Sequence, residues 1–174
     1  MDAWLHRLQN RLVARLYGWR PSLAGRWAQR LSPMTNGTPI PWAEPRKPLR
    51  EATLALVTTG GVHLKLQRAF DMADPKGDPT YREIPIGVPR GALTITHDYY
   101  DHRDAEKDLN LVLPLQRLRD LVEHGALGAL HPIAFSFMGH IDGPHLETLT
   151  ATSAPEVARR LSDAKVDYVL LIPA

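Results

Sequence analysis

The sequence predicts an α/β domain: an open, mainly parallel sheet with helices on both faces, preceded by an N-terminal helical arm. Three observations carry this expectation. Short continuous apolar runs end at glycine or proline, as buried parallel strands do. Amphipathic segments alternate with those runs, as helices crossing over a sheet would. The first 50 residues are chemically unlike the rest. They hold nine Lys/Arg against two acids and all four tryptophans, whereas the remainder holds twelve Lys/Arg against seventeen acids.

The chain has 174 residues, 44% of them hydrophobic and 23% charged, which suits one domain with an appendage and excludes a largely disordered polymer. No apolar run approaches the roughly 20 residues that a membrane span requires. There is no cysteine, which excludes disulfides, thiolate metal sites and a cysteine nucleophile within these residues. A cytoplasmic setting fits that composition. The expected organisation is a basic helical arm over 1–30, a proline-rich linker over 31–50 and the α/β domain over 51–174.

The arm is the first element. Leu5, Leu8, Leu12 and Leu16 recur at helical spacing, and Arg7, Arg11 and Arg15 repeat every four residues, so 3–19 reads as one amphipathic helix. Arginines interrupt every apolar stretch, which excludes a secretory signal. A basic helix of this kind docks on its own domain, on a second copy or on a partner subunit; a membrane surface is the weaker alternative. The acidic body and the lack of any binding motif argue against nucleic acid. The linker carries Pro33, Pro39, Pro41, Pro45 and Pro48 and ends in Arg46-Lys47.

In the body, residues 53–59 form an apolar run closed by Gly60-Gly61, the pattern of a buried strand entering a glycine turn. A turn-rich loop spans 71–80, and short strands are expected at 81–85 and 92–96. A helix follows over about 114–124, with Pro114 in its first turn, Leu115, Leu118, Leu121 and Val122 on one face, and Gly125 at its stop. Residues 133–138 read as a strand, and Ser153 with Glu156 forms a capping-box pattern that would open the last helix. Residues 168–172 read as a final continuous apolar strand.

Ligands of open parallel sheets sit beyond the carboxyl ends of the strands. The places to search are therefore 58–63, 137–140 and 173–174. Gly60-Gly61 could cradle an anion but lacks the further spacing of a dinucleotide or phosphate fingerprint, so a plain turn is the simpler reading. Residues 97–108 form the densest polar cluster. His97 and His102 with its aspartates could hold a divalent metal as part of a hydrolase, yet their spacing matches neither a paired-histidine helix nor a calcium loop. Acids at a helix start explain Asp104 and Asp108 equally well. Ser136 lacks the Gly-x-Ser-x-Gly context of a hydrolase nucleophile, and His140 and His145 read as surface residues of a turn.

From residue 51 onward the sequence resembles the selenoprotein B family of glycine/sarcosine/betaine and D-proline reductases, most of all the selenocysteine subunit of the D-proline branch. The resemblance rests on Ala55-Leu56-Val57-Thr58 with Gly61-Val62-His63-Leu64-Lys65; on Tyr81-Arg82-Glu83-Ile84-Pro85; and on His97 with Tyr100-Asp101, Asp104 and Lys107-Asp108-Leu109-Asn110. It continues through Phe137-Met138-Gly139 and from Pro155-Glu156-Val157-Ala158-Arg159 into Val166-Asp167-Tyr168-Val169-Leu170-Leu171. Residues 1–40 lie outside it.

The resemblance implies a reductase that cleaves a C–N bond at the α-carbon of an amino acid, with electrons from thiols. It implies a selenocysteine directly after Ala174, encoded by a UGA codon readable as termination. It assigns no cofactor within these residues and implies other reductase-complex subunits as partners, alongside self-association through the arm. Candidate catalytic residues are His63 and His97. Candidate substrate-binding residues are Gly61, Asp98, Tyr100, Asp101, Asp104, Asp108, Asn110, Met138 and Gly139; no metal is assigned. A non-catalytic α/β subunit that binds a partner is the alternative.

Overall fold

A computed structural model describes residues 3–20 and 43–174. The expectations for 21–30 of the arm and 31–42 of the linker lie outside the described residues. Helix α1 (Ala3–Trp19) forms where the leucine and arginine spacing predicts it. In the body, strand β1 (Thr53–Thr58) is central. On one side it pairs in parallel with β5 (Ala129–Leu130) and then with β6 (Ile133–Ser136). On the other side lies parallel β7 (Tyr168–Ile172), in register from Leu54–Tyr168 to Thr58–Ile172. Strand β3 (Arg82–Pro85) runs antiparallel to β6 and closes the far edge.

Helices cover both faces, as the sequence predicts. After the short helix α2 (Arg103–Lys107), helix α3 (Leu115–Glu123) presents Leu115 and Leu118 to a core with Leu56, Ile84 and Ala134. Helix α5 (Ala154–Asp163) presents Val157 and Leu161 to Ala55, Phe135 and Phe137 on the opposite face. Alternation along β1 and β6 feeds the two cores: Ala55 and Leu56 point to different ones, as do Ala134 and Phe135. Each buried leucine contributes about 1.5–3 kcal/mol of transfer free energy.

Several details differ from the sequence expectations. Strand β2 (Val62–Leu64) pairs antiparallel with β4 (Leu93–Ile95) in a small second sheet. Ser153 does not cap a helix. Its backbone is helical and its side chain makes no capping hydrogen bond, because α4 (Pro144–Thr148) continues through a π-turn over Leu149–Ser153 into α5. Pro155 accounts for the widened turn. It has no N–H to give, and its ring crowds the carbonyl four residues back, so the preceding turn opens. Strand β7 forms where its continuous apolar run predicts it and is an edge strand among the described residues, with Leu171 68% exposed.

Candidate functional site

The pairings of β1 with β6 and β7 bring three carboxyl ends side by side. Beyond Thr58, the Thr59 amide donates to Ile172 O, and the Phe137 amide donates to Thr58 O at 2.8 Å. The Ala174 amide donates to the Thr59 hydroxyl at 3.0 Å, which holds the residues after β7 across the end of β1.

Gly139, just past β6, lies under that crossing. A Cβ there would stand 2.9 Å from Ala174 O and 3.4 Å from both His97 Nε2 and Thr59 O. The approach of β7's end to His97 thus requires glycine at 139. Gly61 is constrained as well, with φ +65° and a Cβ position 2.6 Å from Thr96 O. The resulting turn delivers Gly61 N–H to Phe137 O and lets Gly61 O accept from Thr96 N, joining the two sheets behind the site.

His97 is the buried centre. Two backbone amides face its ring, Gly139 N at 3.0 Å from Nε2 and Tyr99 N at 3.1 Å from Nδ1. A neutral imidazole accepts at one nitrogen only, and an imidazolium at neither. Burial pushes the His97 pKa down to about 4, with repulsion from His102 and His140 adding to it. His97 is therefore neutral at pH 7. Tyr100 stacks edge-on against it at 4.7 Å and donates its hydroxyl to Gly60 O. Burial raises the Tyr100 pKa well above its ordinary value.

On its other side His97 lines a cavity of about 390 Å³ between α1 and residues 95–106. Asp98 anchors the arm across it. Its side chain is 3% exposed and accepts from Arg7 Nε at 2.6 Å and Arg11 Nε at 2.8 Å. Burial pushes the Asp98 carboxyl up, and the two guanidiniums more than offset that, leaving it below the usual carboxylate range. Asp101 is taken by Arg103, whose hydrogen bonds hold its pKa at about 2. His102 Nδ1 lies 2.8 Å from Glu106 Oε1.

The candidates named from sequence thus separate. His97, Asp98, Tyr100 and Asp101 share the cavity, and Gly139 meets them through the His97 ring. His63 sits elsewhere in the body: Nδ1 is 2.8 Å from Leu64 O, Nε2 is 2.8 Å from the Thr96 hydroxyl, and its ring edge meets Phe70. Gly61 shapes the turn. Met138 is buried beside Phe70 and Met72. Asp104 pairs with Lys107 outside the cavity. Asp108 accepts from the Asn110 amide and side chain, and both line a separate small cavity of about 200 Å³. For a metal, His97 offers nitrogens that both face backbone amides. Among the described residues no three His, Cys, Asp or Glu side chains converge on one point.

Sequence reasoning missed the arm's part in this cavity, and it missed Thr59. The signal was present in the charge asymmetry: a basic segment without acids from 3 to 20 and an acidic run at 98–108 are complementary.

A mainly parallel α/β sheet with polar groups gathered over the carboxyl ends of adjoining strands has the layout in which open α/β folds place a ligand site. The chain belongs to the glycine/sarcosine/betaine reductase selenoprotein B family, which it matches over residues 22–174. It is 38% identical over 135 residues to the D-proline reductase subunit gamma of Acetoanaerobium sticklandii, covering 77% of this chain and 54% of that one. It is 29% identical over 154 residues to the betaine reductase complex component B subunit beta of Peptoclostridium acidaminophilum, covering 86% and 34%. It is 29% identical over 152 residues to the glycine reductase complex component B subunit gamma of Symbiobacterium thermophilum, covering 80% and 32%. The chain thus spans about half the length of the D-proline reductase subunit and about a third of the other two. No solved structure matches it. Among the described residues no helix is long and apolar enough to cross a membrane.

Proposed function

We propose that the chain forms part of a selenoprotein B-type reductase subunit that cleaves a C–N bond at the α-carbon of an amino acid, with D-proline the favoured substrate class. One observation carries this reading. The end of β7, where the resemblance sets a selenocysteine after Ala174, crosses Gly139 beside His97 at the carboxyl edge of the sheet. A selenolate there would supply the nucleophile, because a selenol ionises more readily than a thiol.

The residues of this chain do the rest. Thr59 and Gly139 fix the exit direction of β7. His97, neutral at pH 7 and held by the Gly139 and Tyr99 amides, positions the end of β6 against the residues after β7. Other subunits of a reductase complex are the proposed partners, met through the arm or alongside self-association; the relatives are named as subunits of such assemblies. The metal-hydrolase alternative draws no support from the His97 and His102 geometry.

The test is expression of the gene, with the nucleotides beyond codon 174, in a host that decodes UGA as selenocysteine, using labelled selenium. Incorporation of selenium, together with dithiol-dependent ring opening of D-proline by the assembled complex, is the expected result. A codon other than UGA at that place, or no turnover of D-proline, glycine, sarcosine or betaine, would remove the proposal.

A further inference from the structure

The cavity beside His97 is closed on one side by a segment that lies before the family match, which starts at residue 22. Four arginines line it, namely Arg7, Arg11, Arg15 and Arg103, against the carboxylates of Asp98, Asp101 and Glu106. Most of these charges are already matched. Arg7 and Arg11 both bind Asp98, and Arg103 binds Asp101. Arg15 is different. It lies one helical turn beyond Arg11 on the same face, is exposed, and makes no hydrogen bond or salt bridge among the described residues; only its field reaches Asp101. The anchoring of its neighbours holds it in place, and the buried Ala14 beside it lets the helix approach closely.

From this geometry we infer that the cavity binds the carboxylate of a small organic acid, with Arg15 as the recognising guanidinium and the rest of the ligand directed toward His97. A planar guanidinium matches a carboxylate bidentately, and two parallel charge-assisted hydrogen bonds set orientation as well as affinity. The space of about 390 Å³ suits a molecule of this class. The second and third arginines of the arm thereby take different roles: Arg11 fastens the arm to Asp98, and Arg15 reads the ligand. The inference rests on the amino-acid reading above and adds the group that recognises the acid end, supplied from outside the family-matched region.

The test is a binding titration of the 174-residue chain at low ionic strength with D-proline, with pyrrolidine as its counterpart lacking the carboxylate, and with acetate. Arg15 is exposed, so Arg15→Gln and Arg15→Lys leave the fold intact. Arg15→Gln is expected to weaken D-proline binding about tenfold or more, Arg15→Lys to weaken it less, and pyrrolidine to bind far more weakly than D-proline. Unchanged affinity in Arg15→Gln, pyrrolidine binding as tight as D-proline, or no binding of any carboxylate at millimolar concentration overturns the inference. Arg15-dependent binding of acetate without uptake of D-proline, glycine, sarcosine or betaine upholds the carboxylate site while removing the amino-acid reading.

Discussion

At the scale of single residues, His97 and Gly139 carry the account. The unfolded-state pKa of a histidine is near 6.5, and the folded value here is about 4. Between those values the unfolded chain binds more protons, so stability rises with pH across that window and is lost as pH falls through it. The free energy of unfolding is expected to drop on acidification from about pH 6.5 to 4, by at most about 3.4 kcal/mol. In His97→Gln the slope in that window should flatten. An imidazole NMR titration of His97 centred near 6.5 would contradict the burial argument. Gly139→Ala places a methyl against Ala174 O, so the end of β7 must move. A loss of about 1–2 kcal/mol in equilibrium unfolding is expected, and a neutral result would mean that β7's end does not lie over Gly139. His97, Tyr100 and Asp101 were legible as one polar cluster in the sequence. That His63 is held between Leu64 and Thr96 was not, because the hydrogen bond to Thr96 spans 33 residues and leaves no local pattern.

At the scale of elements, legibility followed burial and length. Strands β1 and β7 announce themselves as continuous apolar runs, and α3 shows its leucine face between Pro114 and Gly125. Strands β2 and β5 have three and two residues, too few for a period to show. The start of α5 was misplaced because Ser153 and Glu156 mimic a capping box inside a helix that already runs from Pro144. The apolar run of β7 is continuous, yet among the described residues Val169 and Leu171 are exposed on one face of this strand. An apolar edge strand templates association. Leu171→Lys is expected to raise the solubility limit severalfold with stability changed by less than about 0.5 kcal/mol. Light scattering on concentrated samples would show it, and an unchanged onset of aggregation would place the sticky surface elsewhere.

At the scale of the whole molecule, the arm and the body are complementary charges joined at Asp98. The helix reaches the body through the tips of Arg7 and Arg11 at Asp98 and leaves Leu5, Leu8, Leu12 and Leu16 exposed, unlike an ordinary amphipathic packing. Asp98→Asn is expected to release the arm, and trypsin, which cuts after arginine, should then cleave within 7–15 several times faster than in the unaltered chain. Equal cleavage rates would mean that the arm is not held through Asp98.

The central claim is that whatever follows β7 stands against His97 and Gly139. The chain has no cysteine, so one appended after Ala174 would be the sole thiol in the molecule. The direct measurement is to alkylate that thiol while recording the His97 ring and Gly139 amide NMR signals, with the same label placed through Leu171→Cys as control. The account predicts that modification after Ala174 shifts both signals and that the Leu171→Cys control shifts neither. Signals from His97 and Gly139 that ignore a label at the end of β7 would contradict it.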